Sequence, residues 1–309
     1  MALAQVANRS GEMESDGAHC AIVWSFSHTF KRFKNMNHSS SIDSQLQDTR
    51  RAFDSVAADY DGPQGNNALI QRMRGAMWRT LGKLFLPGSR LLDLGCGTGI
   101  DAVYLAARGY EIVAADWSPQ MVEHTRARVA EAGLLGRVQV EAIGVHELEQ
   151  LHGRVFDGIY SDLGPLNCVP DLRVASRACS ALLKPGGRLV ASVIGRVCPW
   201  ELAYYTLRGD WNRARLRRAS QAVPVNLNHH RVWTRYYSPR EFYRAFASEF
   251  ELDGYRSFGL FLPPPYLIRW YERASTLCTP LAWLDDQLGS WPLLRDSGDH
   301  FLMTLTRHD

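Results

Sequence analysis

The sequence predicts an α/β fold, with helices wound around both faces of a largely parallel sheet. Three observations carry that reading. Between residues 90 and 195, short apolar runs alternate with helix-period segments, as successive βαβ units do. The first of those runs ends in "GCGTG", a glycine-rich turn that leads straight into a helix. After the fifth run the alternation stops, resumes at residue 238 and closes with one more strand-like segment. The extra length therefore reads as insertions within one domain.

Two helices precede the sheet. "QDTRRAFDSVAADYD" puts Phe53, Val56 and Ala57 on one face. "NNALIQRMRGAMWRTLGKLF" does the same with Leu69, Met73, Met77 and Leu81 until "PGS" ends it. "RLLDLG" is then a short buried strand, and the helix from Ile100 to Arg108 is closed by Gly109. "EIVAAD" is the second strand. Ser118 and Pro119 supply the cap and first-turn pair of the next helix, which Gly133 ends. "RVQVEAI" and "VFDGIYSD" are strands three and four. "DLRVASRACSALL" is a helix halted by "KPGG", and "GRLVASVIG" is strand five. Residues 196–237, rich in Arg, Trp and Tyr, read as an inserted helical cap. Ser238 and Glu241 form a capping box around Pro239 for the helix "SPREFYRAFASEF", and "ELDGYRSFGLF" is strand six. The second insertion, 262–298, is too long for plain loop and is expected to carry helices. "HFLMTLTR" alternates and ends the sheet.

Composition narrows the function classes. A net charge of +3 argues for neither nucleic acid nor a membrane surface, and no apolar run of eighteen residues exists to cross a bilayer. The six cysteines, Cys20, Cys96, Cys168, Cys179, Cys198 and Cys278, contain no CxxC pair, which fits a reduced, cytoplasmic chain better than a disulfide framework or a zinc site. The ten histidines form no HExxH, and no catalytic metal is expected. Residues 1–45 lack periodicity and read as a flexible tail. Glu12, Glu14 and Asp16 argue against a transit peptide, and Met36 is an alternative start. The folded domain is then 46–309.

The glycines decide the ligand class. A phosphate-cradling Walker loop needs a lysine after its last glycine, and none follows Gly99. Gly95, Gly97 and Gly99 form GxGxG, one residue tighter than the dinucleotide fingerprint. They still lie between a strand and a helix, where backbone N–H groups face a ligand. Asp116 closes strand two 21 residues beyond Gly95, the offset at which a carboxylate holds a ribose diol. The pattern points to a ribose-bearing ligand recognised without its phosphates.

Together, "LLDLGCGTG", "VAADWSPQMVEHTRARV", "FDGIYSD" and "LLKPGGRLVAS" closely resemble the class I S-adenosylmethionine-dependent methyltransferases, from about residue 50 to the end. The resemblance implies a Rossmann-like, doubly wound sheet of seven strands, mostly parallel, with an antiparallel last strand and helical caps. The cofactor it implies is S-adenosyl-L-methionine. Gly95, Gly97 and Gly99 would let the backbone close on its methionine part, with Cys96 a small residue packed beneath it. Asp93 would reach the ammonium, Asp116 both ribose hydroxyls, and Trp117 and Met121 the adenine. Ser161 and Asp162 would face the reacting centre, Tyr60 would fold over the cofactor, and Arg74 would meet its carboxylate. Many relatives carry an acid after strand three for the adenine amino group. This chain has "AIGVHELEQL" there, so backbone groups at Val145 are expected to serve.

The resemblance further implies a small-molecule methyltransferase, with oxygen as the first choice of acceptor atom and nitrogen or carbon as alternatives. A non-catalytic binder of the same cofactor is the reading from another class. The caps carry many aromatic residues, which suggests a covered, largely apolar acceptor cavity with Asn167 as a polar contact. A base is required only for a protonated nucleophile, and His229, His230, Tyr236 and Tyr237 are candidates. No catalytic residue is assigned. "LRGDWNRARLRR" reads first as a solvated surface helix. The alternative is a site for an acidic acceptor or a carrier-bound one, with RNA last.

Overall fold

The computed structural model describes residues 41–309, so almost all of the expected tail lies outside it. Ser41 caps α1 (Ile42–Val56) by accepting from the Ser44 amide, which puts the start of the folded part within residues read as tail. Asn67 opens α2 (Ala68–Leu84), its side-chain oxygen accepting the amides of Leu69 and Ile70 at 3.0 and 3.2 Å. Leu69, Met73, Met77 and Leu81 are buried along one side of α2, as their spacing demands.

Five strands follow in parallel: β1 (Arg90–Leu94), β2 (Glu111–Ala115), β3 (Val138–Glu141), β4 (Phe156–Ser161) and β5 (Leu183–Ile194). The helices between them are α3 (Ile100–Ala106), α4 (Pro119–Glu131) and α5 (Leu172–Leu182). Between the two caps come α8 (Pro239–Phe246) and β8 (Phe250–Phe258), and after the second comes β9 (His300–Arg307). The sheet order is β3-β2-β1-β4-β5-β9-β8, with β9 antiparallel to both neighbours. The first residue of β9 therefore lies at the carboxyl edge of β5, beside Ile194.

Burial on both faces explains why the strands read as near-continuous apolar runs. Neighbouring Leu91 and Leu92 are both fully buried and belong to different cores. Leu91 packs with Met77, Leu81 and Ile112, whereas Leu92 packs with Phe156, Phe242 and Phe246.

The first cap departs from expectation. Its first part is helical, with α6 (Pro199–Leu207) and the short α7 (Trp211–Ala214). The second part is a hairpin of β6 (Val223–Leu227) and β7 (His230–Thr234). Asn228 and His229 turn it at φ 47° and 64°, the left-handed pair that a two-residue type I′ hairpin requires. His229 and His230 are exposed at this turn and line neither cavity, which removes both from the candidate bases. The hairpin is fastened to α1: the Trp233 amide donates to Thr49 Oγ1 and its indole to Asp48, both at 3.1 Å. The second cap is helical as expected, with α9 (Ile268–Arg273) and α10 (Ser275–Leu288). Asp285 on α10 anchors it by accepting the amides of Gly259, Leu260 and Phe261 at 2.8–2.9 Å.

Candidate active site

The site begins where β1 ends. Gly95 and Gly99 adopt φ 76° and 81°, left-handed conformations that other residues avoid. Space is missing as well: a Cβ on Gly95 would stand 2.4 Å from Pro165, and one on Gly99 2.7 Å from Thr125. The loop is tied to β2, since the amides of Gly95 and Cys96 both donate to the Ala115 carbonyl. The Gly97 amide donates to Asp116 Oδ2 and the Ser118 amide to Asp116 Oδ1, each at 2.9 Å. Two backbone donors thus fix the Asp116 carboxylate, and its remaining lone pairs serve the cleft it lines. Burial raises its pKa, while those two amides oppose the rise.

Above this loop opens a cleft of about 1100 Å³. Arg74, Asp101 and Asp162 line it, with Tyr60 beside them. Arg74 is paired with Asp101, whose other oxygen accepts the Trp78 indole N–H at 2.7 Å. Within this cluster two buried polar atoms lack a hydrogen-bond partner among the described residues, Arg74 Nε and Asp162 Oδ2, whereas Asp162 Oδ1 accepts the Leu163 amide at 2.9 Å. Burial pushes Asp162 up to about 7, with Asp101 adding to the rise and Arg74 opposing it. Burial opposes the Arg74 charge, but Asp101 and Asp162 hold it protonated. An unpartnered guanidinium nitrogen and an unpartnered carboxyl oxygen in one buried region suit a ligand that carries both charges. Elsewhere the lining is apolar or aromatic: Trp117, Met121, Ile143 and Val145, with the His146 ring edge-on to Trp117 at 4.6 Å.

Ten of the thirteen residues singled out in sequence line this cleft: Tyr60, Arg74, Gly95, Cys96, Gly97, Asp116, Trp117, Met121, Val145 and Asp162. Three do not. Asp93 is buried behind the loop, where its Oδ2 accepts the Tyr160 hydroxyl at 2.9 Å. Ser161 points back into the sheet and donates to the Leu94 carbonyl at 2.9 Å. Gly99 is the N-cap of α3. Burial drives the Cys96 thiol well above its usual range, which leaves it a packing residue and not a nucleophile. Asp101 was missed because an acid in the first turn of a helix looks like ordinary dipole compensation. Leu163 was missed too: it adopts φ 63°, a strained conformation that no sequence signal announces.

A second cavity of about 810 Å³ shares Tyr60 and Leu163 with the first. Ile70, Ile194, Tyr236, Pro265 and Tyr266 give it an apolar and aromatic lining, and Arg217, Asp299 and His300 line it as well. Arg217 corrects the surface-helix reading of the basic segment. It is buried and donates to Glu201, Asp299 and the carbonyls of Gly195 and Asp299 at 2.6–3.0 Å. Cys198, Glu201 and Asp299 have the atom types of a metal site, all within 4.8 Å of one another, but both carboxylates are engaged by this guanidinium. Asn167 lines neither cavity. It binds the backbone of Ile194 and Arg235 and so joins the end of β5 to the first cap.

Residues 91–187 match the model of a methyltransferase domain. These residues are similar to a methyltransferase domain, as the glycine loop and the Asp116 spacing lead one to expect. The chain is 34% identical over 138 residues to a ubiquinone biosynthesis O-methyltransferase of Xanthomonas euvesicatoria pv. vesicatoria, covering 45% of this chain and 56% of that relative. The similarity therefore spans little more than half the length of such relatives. Among solved structures, the 1,6-didemethyltoxoflavin-N1-methyltransferase of Burkholderia thailandensis superposes with a TM-score of 0.54 at 19% identity, covering 89% of this chain and 93% of that one. An S-adenosylmethionine-dependent methyltransferase from Clostridium acetobutylicum gives 0.53 at 14% identity, over 83% and 99%. Both likenesses show the fold. The seven-stranded sheet has the Rossmann-like order, with its reversed strand inserted between β5 and β8. Among the described residues, no helix is long and apolar enough to cross a membrane.

Proposed function

We propose that this protein transfers a methyl group from S-adenosylmethionine to a hydroxyl of a small, uncharged acceptor held in the second cavity. One observation carries the reading: two cavities meet at Tyr60 and Leu163 on the carboxyl edge of the sheet, and each has a different chemical lining. The first suits the cofactor. Asp116 would hold the ribose diol, Asp162 the ammonium and Arg74 the carboxylate, while Trp117, Met121 and Val145 would enclose the adenine. When bound, S-adenosylmethionine supplies an activated methyl group on a sulfonium that serves as its own leaving group.

The remaining work belongs to the protein. Tyr60 and Leu163, lining both cavities, keep the two reactants in adjoining compartments, and the apolar walls exclude water. An uncharged acceptor is favoured over an acidic one because Arg217, the cationic residue lining the second cavity, is already engaged by two carboxylates. The O-methyltransferase named among the relatives supports oxygen as the acceptor atom. Cys96, Cys168, Cys179, Cys198 and Cys278 are free thiols, which supports a cytoplasmic, reducing setting.

The test is isothermal titration of the full chain with S-adenosylmethionine and S-adenosylhomocysteine, followed by a mass-spectrometric product assay over hydroxylated acceptors. Wild type should bind both ligands. Asp116→Asn, which loses two charge-assisted hydrogen bonds worth about 1.5–3 kcal/mol each, should bind roughly 100-fold or more weakly. Absence of binding to wild type refutes the reading. A product methylated at nitrogen or carbon would overturn the choice of oxygen.

A further inference from the structure

The second cavity contains a histidine–carboxylate pair that the sequence does not announce. His300 Nδ1 lies 2.8 Å from Asp299 Oδ2. Asp299 is buried, and despite that burial Arg217 and His300 hold its carboxyl well below the usual range. Beside an ionised carboxylate, Nδ1 carries the proton, so the lone pair is on Nε2. No group among the described residues hydrogen-bonds Nε2, and the imidazole lines the cavity. We propose that His300, oriented by Asp299, is the general base that takes the proton of an acceptor hydroxyl, and that the acceptor is a hydroxylated aromatic ring. This deepens the methyl-transfer reading and rests on it.

Position comes first. β9 runs antiparallel, so its first residue stands level with Ile194 at the carboxyl edge where Gly95, Asp116 and Asp162 also lie. The pair is rigidly framed: Asp299 accepts from Arg217 and its carbonyl accepts from Gly195. The aromatic class follows from the walls. Tyr60, Tyr236 and Tyr266 line the cavity with aromatic side chains, and Ile70, Leu163 and Ile194 with apolar ones, a lining that suits an aromatic ring.

Charge favours the same transfer. The titratable and charged groups lining this cavity with His300 are Asp299, Arg217 and the phenols of Tyr60, Tyr236 and Tyr266, and Glu201 and Cys198 cluster with Asp299. Burial raises Tyr60 to about 12 and holds Tyr236, Tyr266 and Cys198 well above their usual ranges, so these stay protonated at neutral pH. Two carboxylates then face one guanidinium, and a proton arriving on His300 cancels the excess negative charge. Asp162, a group poised near neutrality, lines only the first cavity. In the step itself the acceptor O–H bond breaks and the Nε2–H bond forms. The electron pair left on oxygen bonds the transferred methyl, and the sulfonium–methyl pair returns to sulfur.

The experiment uses 4-nitrocatechol, whose phenolate is coloured, with the full chain and without cofactor. Wild type should bind it as phenolate below its own ionisation range. His300→Gln and His300→Asn should bind it as the neutral phenol. With S-adenosylmethionine present, both variants should lose about 100-fold or more in kcat with KM within threefold. The kcat–pH profile of wild type should contain an ionisation that both variants lack. Unchanged S-adenosylmethionine binding and melting identify a folded variant; if neither variant folds, the wild-type spectrum decides alone. Failure of wild type to bind or ionise 4-nitrocatechol, or methylation by a folded variant within threefold of wild type, overturns the proposal. Ionisation in wild type and not in the variants, with no methylated product from any acceptor, supports the dyad and refutes the methyl-transfer reading instead.

Discussion

Replacing Arg217 by methionine isolates the contribution of one buried guanidinium to both the first cap and the second cavity. Its Nε and Nη2 donate to Glu201 at 2.9 and 2.6 Å, Nη2 donates to Asp299 at 2.6 Å, and Nη1 donates to the carbonyls of Gly195 and Asp299 at 3.0 Å. Methionine keeps much of the apolar stem and removes every one of these donors. Glu201 and Asp299, 4% and 3% exposed, would then face each other with no guanidinium between them. Breaking such a pair from one side costs about 3–5 kcal/mol. At about 2–4 °C per kcal/mol for a domain near this size, the melting temperature should fall by roughly 6–20 °C at pH 7.5. The pH dependence supplies the sharper check. In wild type, Asp299 is held below its unfolded value, so its contribution is present above about pH 4 and is lost as pH falls through its folded value. Without the guanidinium, burial raises the carboxyl and only the neighbouring His300 still opposes the rise. The folded variant then binds the proton more tightly than the unfolded chain, and its stability recovers as pH falls toward 5. Melting of both proteins by circular dichroism at pH 7.5 and pH 5 measures the gap. A drop under about 3 °C at pH 7.5, or a gap that does not narrow at pH 5, would refute this account of the cluster.

Asp162 titrates with the opposite sign. Its folded value of about 7 exceeds that of the unfolded chain, so its contribution is fully present below about pH 4 and is lost as pH rises through 7. Without cofactor, Asp162→Asn should be more stable than wild type by about 4 kcal/mol at pH 8.5 and by about half of that at pH 5.5, with the gap closing near pH 4. Its affinity for S-adenosylmethionine should fall at least tenfold, and equal pH profiles for the two proteins would contradict the assignment. His229→Gly should raise stability by about 0.5–1 kcal/mol, because glycine prefers the left-handed turn that His229 is forced into. Methyl transfer should be unchanged in that variant, and lost activity would return His229 to the list of working residues.

The sequence by itself determined the sheet, the glycine loop and the cofactor side of the site, because these rest on local rules. Apolar runs, caps and glycine conformations are set by near neighbours, and Asp116 follows β2 by chain spacing alone. The hairpin was legible too, since Asn228 and His229 stand between two alternating runs, although aromatic and basic composition drew the reading toward helix. Only the tertiary structure decided the rest. Asp93 and Asp162 look alike in sequence, yet Asp93 is buried against Tyr160 behind the loop, whereas Asp162 lines the cleft with one oxygen lacking a partner. Arg217 reads as a surface charge until Glu201, 16 residues before it, and Asp299, 82 residues after it, close around it. His300 becomes a candidate base only because an antiparallel last strand delivers the far end of the chain to the carboxyl edge of β5. Such meetings depend on how strands are ordered across the sheet, and strand order is decided by packing over long separations that no local pattern records.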